Sequence, residues 1–412
     1  MKTTYLFLCL LGIGSVSGAG QTKQPQKIGD FIESTSYNEH RRNATRSLQY
    51  TPDGDDFVCI NGKNRFTRAL YGSHTAFRLE TSDRPVFAAY TKENPKHICF
   101  KLQTSGGTVA LDSTEHCESR YTAGRRSYSL SDPAFGGGSL SITTWALPDK
   151  EGAIWQFNAR NFKEFHPVLL ASISEVRNSK LNRNGDMGAD PADSFEAPLQ
   201  PQQLQSFPVQ IDGTLYILLE NQELRTLTTA EGENLFKKAE AARSETASRI
   251  RIETPDPYFN TLGGTLAMAA DGIWDGEVWL HGAIGWRMPL SGWRAAYTGD
   301  VLGWHDRART HFNAYAASQV TEVPNTLPHP AQDSALHLAR SVKKWGTPQY
   351  SNGYICRNPH RNNQMHHYDM NLCYIDELLW HFQVDGGLGL CPPNVACHHP
   401  SPHMGKAELR PG

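Results

Sequence analysis

The chain has 412 residues, of which 39% are hydrophobic and 20% charged, and its formal net charge is -2 at pH 7. This is the composition of an ordinary globular protein with room for more than one domain, and it excludes a chain that is disordered throughout. Because the net charge is close to zero, the chain has no overall electrostatic attraction for nucleic acid or an anionic membrane. We therefore expect neither as a partner.

The chain begins with the pattern of a signal peptide. Lys2 precedes an apolar run over residues 5–13, and the small residues Ser17 and Ala19 follow it. This run is too short for an ordinary membrane-spanning helix, and no later segment is long enough either. We therefore expect residues 1–19 to be removed and the protein to be exported to the periplasm or the extracellular space. Residues 20–54 are expected to be a flexible leader.

Residues 55–228 are predicted to form a β-sandwich. Short runs such as TAFRLE, PVFAAY, ICFKLQ, SLSITTWAL and LYILLE are separated by Gly, Pro, Asp and Asn. Many short strands with turn residues between them are typical of two packed antiparallel sheets.

The cysteines predict neither a disulfide framework nor a zinc site. Of the eight cysteines, Cys9 lies in the signal peptide, and the remaining odd number has no regular spacing. One bridge among Cys59, Cys99 and Cys117 is compatible with an oxidising compartment, but the sequence does not pair them. We expect no metal and no cofactor, since no zinc-binding spacing is present.

The hydrophobic period becomes helical after residue 228. Good helix formers and apolar residues at helical spacing predict a linker helix over residues 229–253. Pro255 and Pro257 end it and favour a new helix at 257–270, because proline is tolerated in a first turn but not in an interior. Further helices are predicted at 301–319 and 366–383. In the last one, Leu372, Ile375 and Leu379 fall on one continuous apolar stripe.

The final residues, 384–412, are rich in Pro, Gly and His and have no helical period. We expect an irregular tail. These residues can be encoded by one choice of synonymous codons that, when translated one base later, would instead give a turn and an amphipathic helix. Our interpretation is a one-base insertion at codon 384, and the alternative is a genuine irregular tail.

The segment over residues 271–304 has the composition of a sugar-binding site. It holds five of the nine tryptophans together with four carboxylates, which are Asp271, Asp275, Glu277 and Asp300. Exposed indole rings stack on sugar rings, and carboxyl groups hydrogen-bond hydroxyls or transfer protons. The segment therefore predicts a carbohydrate as the partner.

Glycoside hydrolysis usually needs two carboxyl groups that flank the scissile bond. Glu277 is our candidate general acid, with Asp275 and Asp271 as the next catalytic candidates. Each of the three could instead cap a helix, form a turn or pair with an arginine. The candidate substrate-binding residues are Trp274, Trp279, His281, Trp286, Arg287, Trp293, Arg294, Tyr297, His366 and Asp369.

Several candidates keep a second interpretation. The sequence GWR occurs twice, so Arg287 and Arg294 each follow a tryptophan and suit a sugar carboxylate, or they pair with Asp300 or Asp306. A second set of polar residues, His360, His366, His367 and Asp369, lacks the spacing of a metal motif. Asp376 and Glu377 lie mid-helix and either bind hydroxyls or form a solvated face.

Three phrases carry a family resemblance: TPDPYFN at 254–260, the Trp-rich segment, and HHYDMNLCYIDELLWHF at 366–382. They resemble secreted Bacteroidetes proteins of polysaccharide-utilisation loci over residues 28–383. The resemblance implies an N-terminal β-sandwich followed by a helical domain like that of the six-hairpin, (α/α)6-barrel glycosidases. The chain supplies too few predicted helices to close such a barrel. The expected fold class is a multidomain β + α protein with a β-sandwich, a linker helix and a partial (α/α)6 barrel over 254–383.

The resemblance and the carboxylates together favour a glycoside hydrolase that acts on a poly- or oligosaccharide, with this chain as an incomplete form. Two alternatives stay open. One is a polysaccharide lyase or sugar isomerase that uses His281, Tyr297 or His366 with Arg287 as the charge partner. The other is a glycan-binding protein without catalysis. The sequence does not indicate the oligomeric state.

Overall fold

Two antiparallel sheets dominate the computed structural model. The structure describes residues 50–63, 68–72, 77–91, 94–162, 166–176, 203–282, 288–291, 295–319, 332–333, 338–339, 353, 355–360 and 368–385, which all fall within a single compact unit. The predicted signal peptide, nearly all of the predicted leader and nearly all of the predicted tail lie outside these residues.

The strands are short and most follow one another directly along the chain. In chain order they are β1 (Thr51–Asp53), β2 (Asp56–Ile60), β3 (Arg68–Tyr71), β4 (Arg78–Thr81), β5 (Val86–Thr91), β6 (Asn94–Thr104), β7 (Gly107–Ala110), β8 (His116–Thr122), β9 (Arg125–Ser131), β10 (Ser139–Ala146), β11 (Gly152–Arg160), β12 (Val168–Glu175), β13 (Gln203–Gln210), β14 (Thr214–Glu220), β15 (Glu223–Leu227), β16 (Gln332–Asp333) and β17 (Leu338–Ala339).

The larger sheet has the order β1-β2-β8-β9-β10-β11-β14-β15, and the second has the order β13-β12-β6-β5-β4-β3, with β7 paired to β6. The two pack face to face, since Phe87 and Phe100 of the second sheet contact Trp155 of the larger one with ring centroids 5.4 and 5.8 Å apart. The sequence alternation sets this arrangement. In β9, Arg126, Tyr128 and Leu130 point inward, and the residues between them point to solvent.

The helices follow the sandwich. They are α1 (Thr229–Ala247), α2 (Pro257–Asn260), α3 (Gly263–Gly272), α4 (Ala295–Val301), α5 (His305–Ala316) and α6 (Tyr368–Asp385). Helix α1 begins with a capping box in which Thr228 and Glu231 satisfy each other's free backbone donors. It then packs on the outer face of the larger sheet through Phe236 and Ala239. Gly232 permits this close approach, because a Cβ there would lie 2.2 Å from the ring of Tyr216.

The expected fold class is wrong, and with it the resemblance to six-hairpin glycosidases. The chain is mainly β, and α2–α6 form no barrel, whole or partial, within the described part of residues 254–383. The predicted helix at 257–270 is interrupted at Thr261–Leu262, and the predicted helix at 301–319 is preceded by the separate helix α4. Helical periodicity indicates local helices and their faces, whereas closure into a ring depends on contacts between helices that the period does not encode.

Candidate functional site

The tryptophans of the 271–304 segment lie inside the protein where they are described. Trp274, Trp279 and Trp304 are all buried, and the rings of the first two lie 4.7 Å apart in one core with Phe312 and Tyr374. In this arrangement the three rings pack against protein and offer no exposed face to a sugar. Trp286 and Trp293 lie outside the described residues, as do Arg287, Arg294 and His366, and for Asp369 only the backbone in α6 is described.

Asp271 holds three helices together. Its carboxylate, at the end of α3, is buried and accepts hydrogen bonds at 2.9 Å from Arg243 of α1 and at 2.9 Å from Arg307 of α5. Arg307 also covers the ring of Trp304 at 4.2 Å. Both carboxylate oxygens are therefore hydrogen-bonded to guanidinium groups. Of the alternatives predicted for Asp271, the structure supports pairing with an arginine.

Asp275 shapes the loop that presents Glu277. Its Oδ1 accepts hydrogen bonds from the backbone N–H groups of Glu277 at 3.0 Å and of Val278 at 2.7 Å. This is the local side-chain turn that aspartate commonly forms. Gly276 sits at φ 103°, a conformation that favours glycine and lets the turn close.

Glu277 is a predicted catalytic residue whose side chain is accessible to solvent. Its side chain is 47% exposed, and one carboxylate oxygen contacts Nε2 of His360. His360 itself has φ 59°, a left-handed conformation that costs a non-glycine residue energy. Backbone strain of this kind is concentrated at functional sites. The contact between the strained His360 and the accessible carboxylate of Glu277 therefore marks these two residues as part of a candidate site.

Glu377 brings a second carboxyl group to the same region. It lies on α6, only 2% exposed, so the solvated-face interpretation does not hold for it. Its charge and those of Glu277 and Asp275 all act on the Tyr315 hydroxyl. Burial first, and then these carboxylates, raise the pKa of Tyr315, against the opposing effect of Arg357. Glu277 and Glu377 therefore both lie within electrostatic reach of one buried phenol.

Arg357 adds a positive charge to this region, and His281 lies near it. Burial, followed by the nearby Arg357 guanidinium, lowers the pKa of His281 and favours its neutral form. Arg357 also contacts the sulfur of Met288, whose carbonyl accepts the backbone N–H of His281 at 3.0 Å. We call Glu277, His281, Tyr315, Arg357, His360 and Glu377 the polar cluster.

Tyr297 lies against α6. Its hydroxyl donates to Asp376, and its ring makes an edge contact with Trp380. Burial, followed by this hydrogen bond to a carboxylate, raises the pKa of Tyr297 to about 12. The phenol thus stays protonated at neutral pH.

Asp300 forms a second buried polar contact. Its carboxylate lies 2.9 Å from Nδ1 of His305 and 2.8 Å from Nδ1 of the fully buried His381. Burial raises the pKa of Asp300, but the two imidazoles outweigh this effect and hold it below its ordinary value. Within the described residues no group of three or more His, Cys, Asp or Glu side chains is placed to hold a metal ion.

Sequence reasoning missed Tyr315 and Arg357. Tyr315 follows the helical period of α5, which indicates a core position, and Arg357 lies in an irregular stretch without a pattern. No signal in the sequence joins either of them to Glu277. Only the fold brings the end of α5, residues 355–360 and α6 together.

Residues 95–249 match the model of a family described as a domain of unknown function (DUF4450). The match is less than half of the 412-residue chain and covers β6 to α1, so it includes most of the larger sheet and ends before the polar cluster. No curated protein matches the chain. The described cysteines are free thiols, and none of the helices in the described part of the chain is long and apolar enough to cross a membrane.

Proposed function

We propose that the protein is an exported glycoside hydrolase that acts on a poly- or oligosaccharide at the polar cluster. The observation that carries the proposal is the pair Glu277 and Glu377, one accessible and one buried, both within electrostatic reach of the Tyr315 hydroxyl. Glycosidases use two carboxyl groups, and different surroundings let one act as the acid and the other as the base or nucleophile.

Glu277 takes the role of general acid, because it is the carboxyl group that a substrate reaches from solvent. His360 contacts it and limits its rotation, and Asp275 holds the backbone of its loop. Glu377 takes the second role. Neutral His281 and the Arg357 guanidinium offer hydrogen bonds to sugar hydroxyls on the same side of the site.

The test is Glu277→Gln in the full chain. The amide keeps the shape of the side chain and removes the titrating proton, so we expect hydrolysis to fall by about 100-fold or more. Release of reducing sugar from a panel of plant and host polysaccharides measures it, and circular dichroism checks folding. Asp306→Asn is the matched control, since that carboxylate is 92% exposed on α5 and pairs with Arg309 of its own helix. Unchanged turnover in Glu277→Gln would remove the assignment.

A polysaccharide lyase is the second candidate. His281 favours this candidate, because its neutral form is favoured and the Arg357 guanidinium lies near it. Proton abstraction next to a sugar carboxylate requires a neutral base together with a cation that binds the carboxylate. The raised pKa of Tyr297 disfavours that residue as the base. A product with a new double bond absorbs in the ultraviolet, whereas hydrolysis gives no such signal. Binding of a polysaccharide without either product would favour a non-catalytic role.

A further inference from the structure

The outer face of the larger sheet carries ordered rows of polar side chains. The strand pairing aligns five residues across five neighbouring strands, namely Glu118, Ser129, Ser141, Asn158 and Thr214. The next row toward one end of the strands contains His116 opposite Ser131, and Ser139 opposite Arg160. Toward the other end the same face becomes apolar, with Trp145, Ile154 and Leu218 covered by α1.

Side-chain size turns these rows into a cleft. The two central strands, β9 and β10, contribute four serines together with Leu130 and Leu140 to its lining, whereas β8 and β11 contribute longer polar side chains at its walls. The cleft measures about 500 Å³, within the range of small-molecule sites. Its lining includes His116, Ser129, Ser131, Ser141, Asn158 and Arg160. We call it the serine cleft.

The wall on β11 is fixed by hydrogen bonds before any ligand arrives. The Thr214 hydroxyl donates to Oδ1 of the Asn158 side chain at 2.7 Å, and Nδ2 of Asn158 donates to Oε1 of Gln156 at 3.2 Å. Nε2 of Gln156 then donates to the Tyr216 hydroxyl at 2.7 Å. Side chains held in this way lose little conformational freedom when a ligand binds. The wall is therefore preorganised for polar recognition.

The charges around the serine cleft are balanced except at one end. Glu118 pairs with Arg120 at 2.6 Å, and Arg120 also pairs with Asp53 at 2.8 Å. Arg160 is exposed, and no acidic side chain among the described residues lies within salt-bridge distance of it. One guanidinium thus remains available at the end of the cleft that opens away from α1.

The chemistry of the lining selects the kind of ligand. Serine hydroxyls and amides both donate and accept hydrogen bonds, as sugar hydroxyls do. A peptide that adds a strand needs a free sheet edge, but β9 and β10 are central and paired on both sides. Nucleic acid needs several cations along its phosphates, and the lining has a single arginine.

The serines at the floor of the cleft stabilise the sheet less than other residues would, and a binding function explains why they are there. Serine is a weak strand former compared with Thr, Val or Tyr, and here it occupies solvent-facing positions in the middle of a large sheet. Larger residues would strengthen the strands but would fill the cleft.

We propose that the serine cleft binds an extended acidic saccharide chain that lies along β9 and β10, with a sugar carboxylate on Arg160 and hydroxyls on the serines and Asn158. This site is separate from the polar cluster and lies inside the matched family domain. It holds a polysaccharide to the protein whether or not the chain is cleaved at Glu277.

The test is affinity electrophoresis of the full chain in gels that contain polygalacturonate or alginate, with each polymer's methyl-esterified form as the uncharged comparison. We expect an acidic polymer to retard the protein more strongly than its ester. Ser141→Tyr fills the cleft with a residue that strands favour, so it should weaken binding to both forms by about tenfold or more. Arg160→Gln should remove the preference for the acidic form. Ser172→Tyr, on an outward position of the other sheet, is the matched control and should bind as the wild type does.

Glu277→Gln separates this inference from the proposed function, because it should lower cleavage by about 100-fold or more and leave retardation unchanged. The inference is overturned if no acidic polymer retards the wild type, or if folded Ser141→Tyr and Arg160→Gln both bind normally. It is also overturned if Glu277→Gln abolishes retardation while the two cleft variants retain it. Thermal unfolding checks Ser141→Tyr, and Arg160→Gln, at an exposed position, carries the test if that variant does not fold.

Discussion

The sandwich and the helical region each have an apolar core, and the core of the sandwich is the larger one. Phe87, Phe100 and Trp155 lie at the centre of the sandwich, where Arg126 is also buried. Helix α6 buries Asn371 and His381 and exposes Leu372 and Leu379, which are 69% and 54% accessible. Asn371 hydrogen-bonds Ile355, and His381 contacts Asp300. The comparison teaches that the described helices depend on individual hydrogen bonds and ion pairs in addition to their apolar core.

The buried face of α6 illustrates this second kind of stability. The Asn371 side chain accepts the backbone N–H of Ile355 at 2.7 Å and donates to its carbonyl at 3.1 Å, as a strand partner would. The Tyr374 hydroxyl donates to the carbonyl of Phe312 at 2.9 Å. Contacts of this kind are directional, so the loss of one partner leaves the other buried and unsatisfied.

The largest effect is expected from Asp271→Ala. It leaves two guanidinium groups, one of them buried, without their carboxylate, and breaking a buried ion pair costs about 3–5 kcal/mol. Hydrogen exchange should show loss of protection in α3 and α5 while β10 and β11 keep theirs. The control is Asp306→Ala, whose exposed pair with Arg309 should contribute no more than about 1 kcal/mol. Equal losses in both variants would contradict the comparison.

Acid should weaken the helical region through His311. Burial lowers the pKa of this residue to about 3, and its Nδ1 accepts the backbone N–H of Trp279 at 3.1 Å, which only the neutral ring can do. The unfolded chain binds the proton near pH 6.5, so stability is complete above that pH and falls between about pH 6.5 and 3. We expect a loss of about 2 kcal/mol between pH 7 and 5.

Urea unfolding at the two pH values measures this loss. The matched variant is His311→Asn, whose amide oxygen can still accept from Trp279 but does not titrate in this range. It should lower stability at pH 7 and remove most of the His311 contribution to the pH slope. A slope that stays the same would show that other groups cause the acid sensitivity.

The sequence predicts the elements of this protein better than their assembly. The runs SLSITTWAL and LYILLE lie on β10 and β14, and α1 begins within one residue of the change in period at residue 228. Local pattern and capping determine such features. The partial barrel is wrong because it rests on resemblance of short phrases, and the phrases indicate helices without indicating how they pack.

One part of the candidate site could likewise be predicted from the sequence, and another part could not. A pattern of residue types singled out Glu277, and the fold places it beside His360 on an accessible loop. The same pattern treats Trp274 and Trp279 as stacking platforms, yet both are buried. Composition cannot separate an indole that faces solvent from one that fills a core, because both need the same flat apolar ring.

The smallest effect is expected from Leu379→Lys on the exposed stripe of α6. Because Leu379 is more than half accessible, the free energy of unfolding should change by less than about 0.5 kcal/mol. The matched control is Leu378→Lys one residue earlier, where the side chain packs against the core with Tyr374 and a buried charge costs several times more. Urea unfolding of both variants gives the comparison. If Leu379→Lys costs as much as Leu378→Lys, the stripe is covered in solution, and α6 then depends on apolar burial on both of its faces.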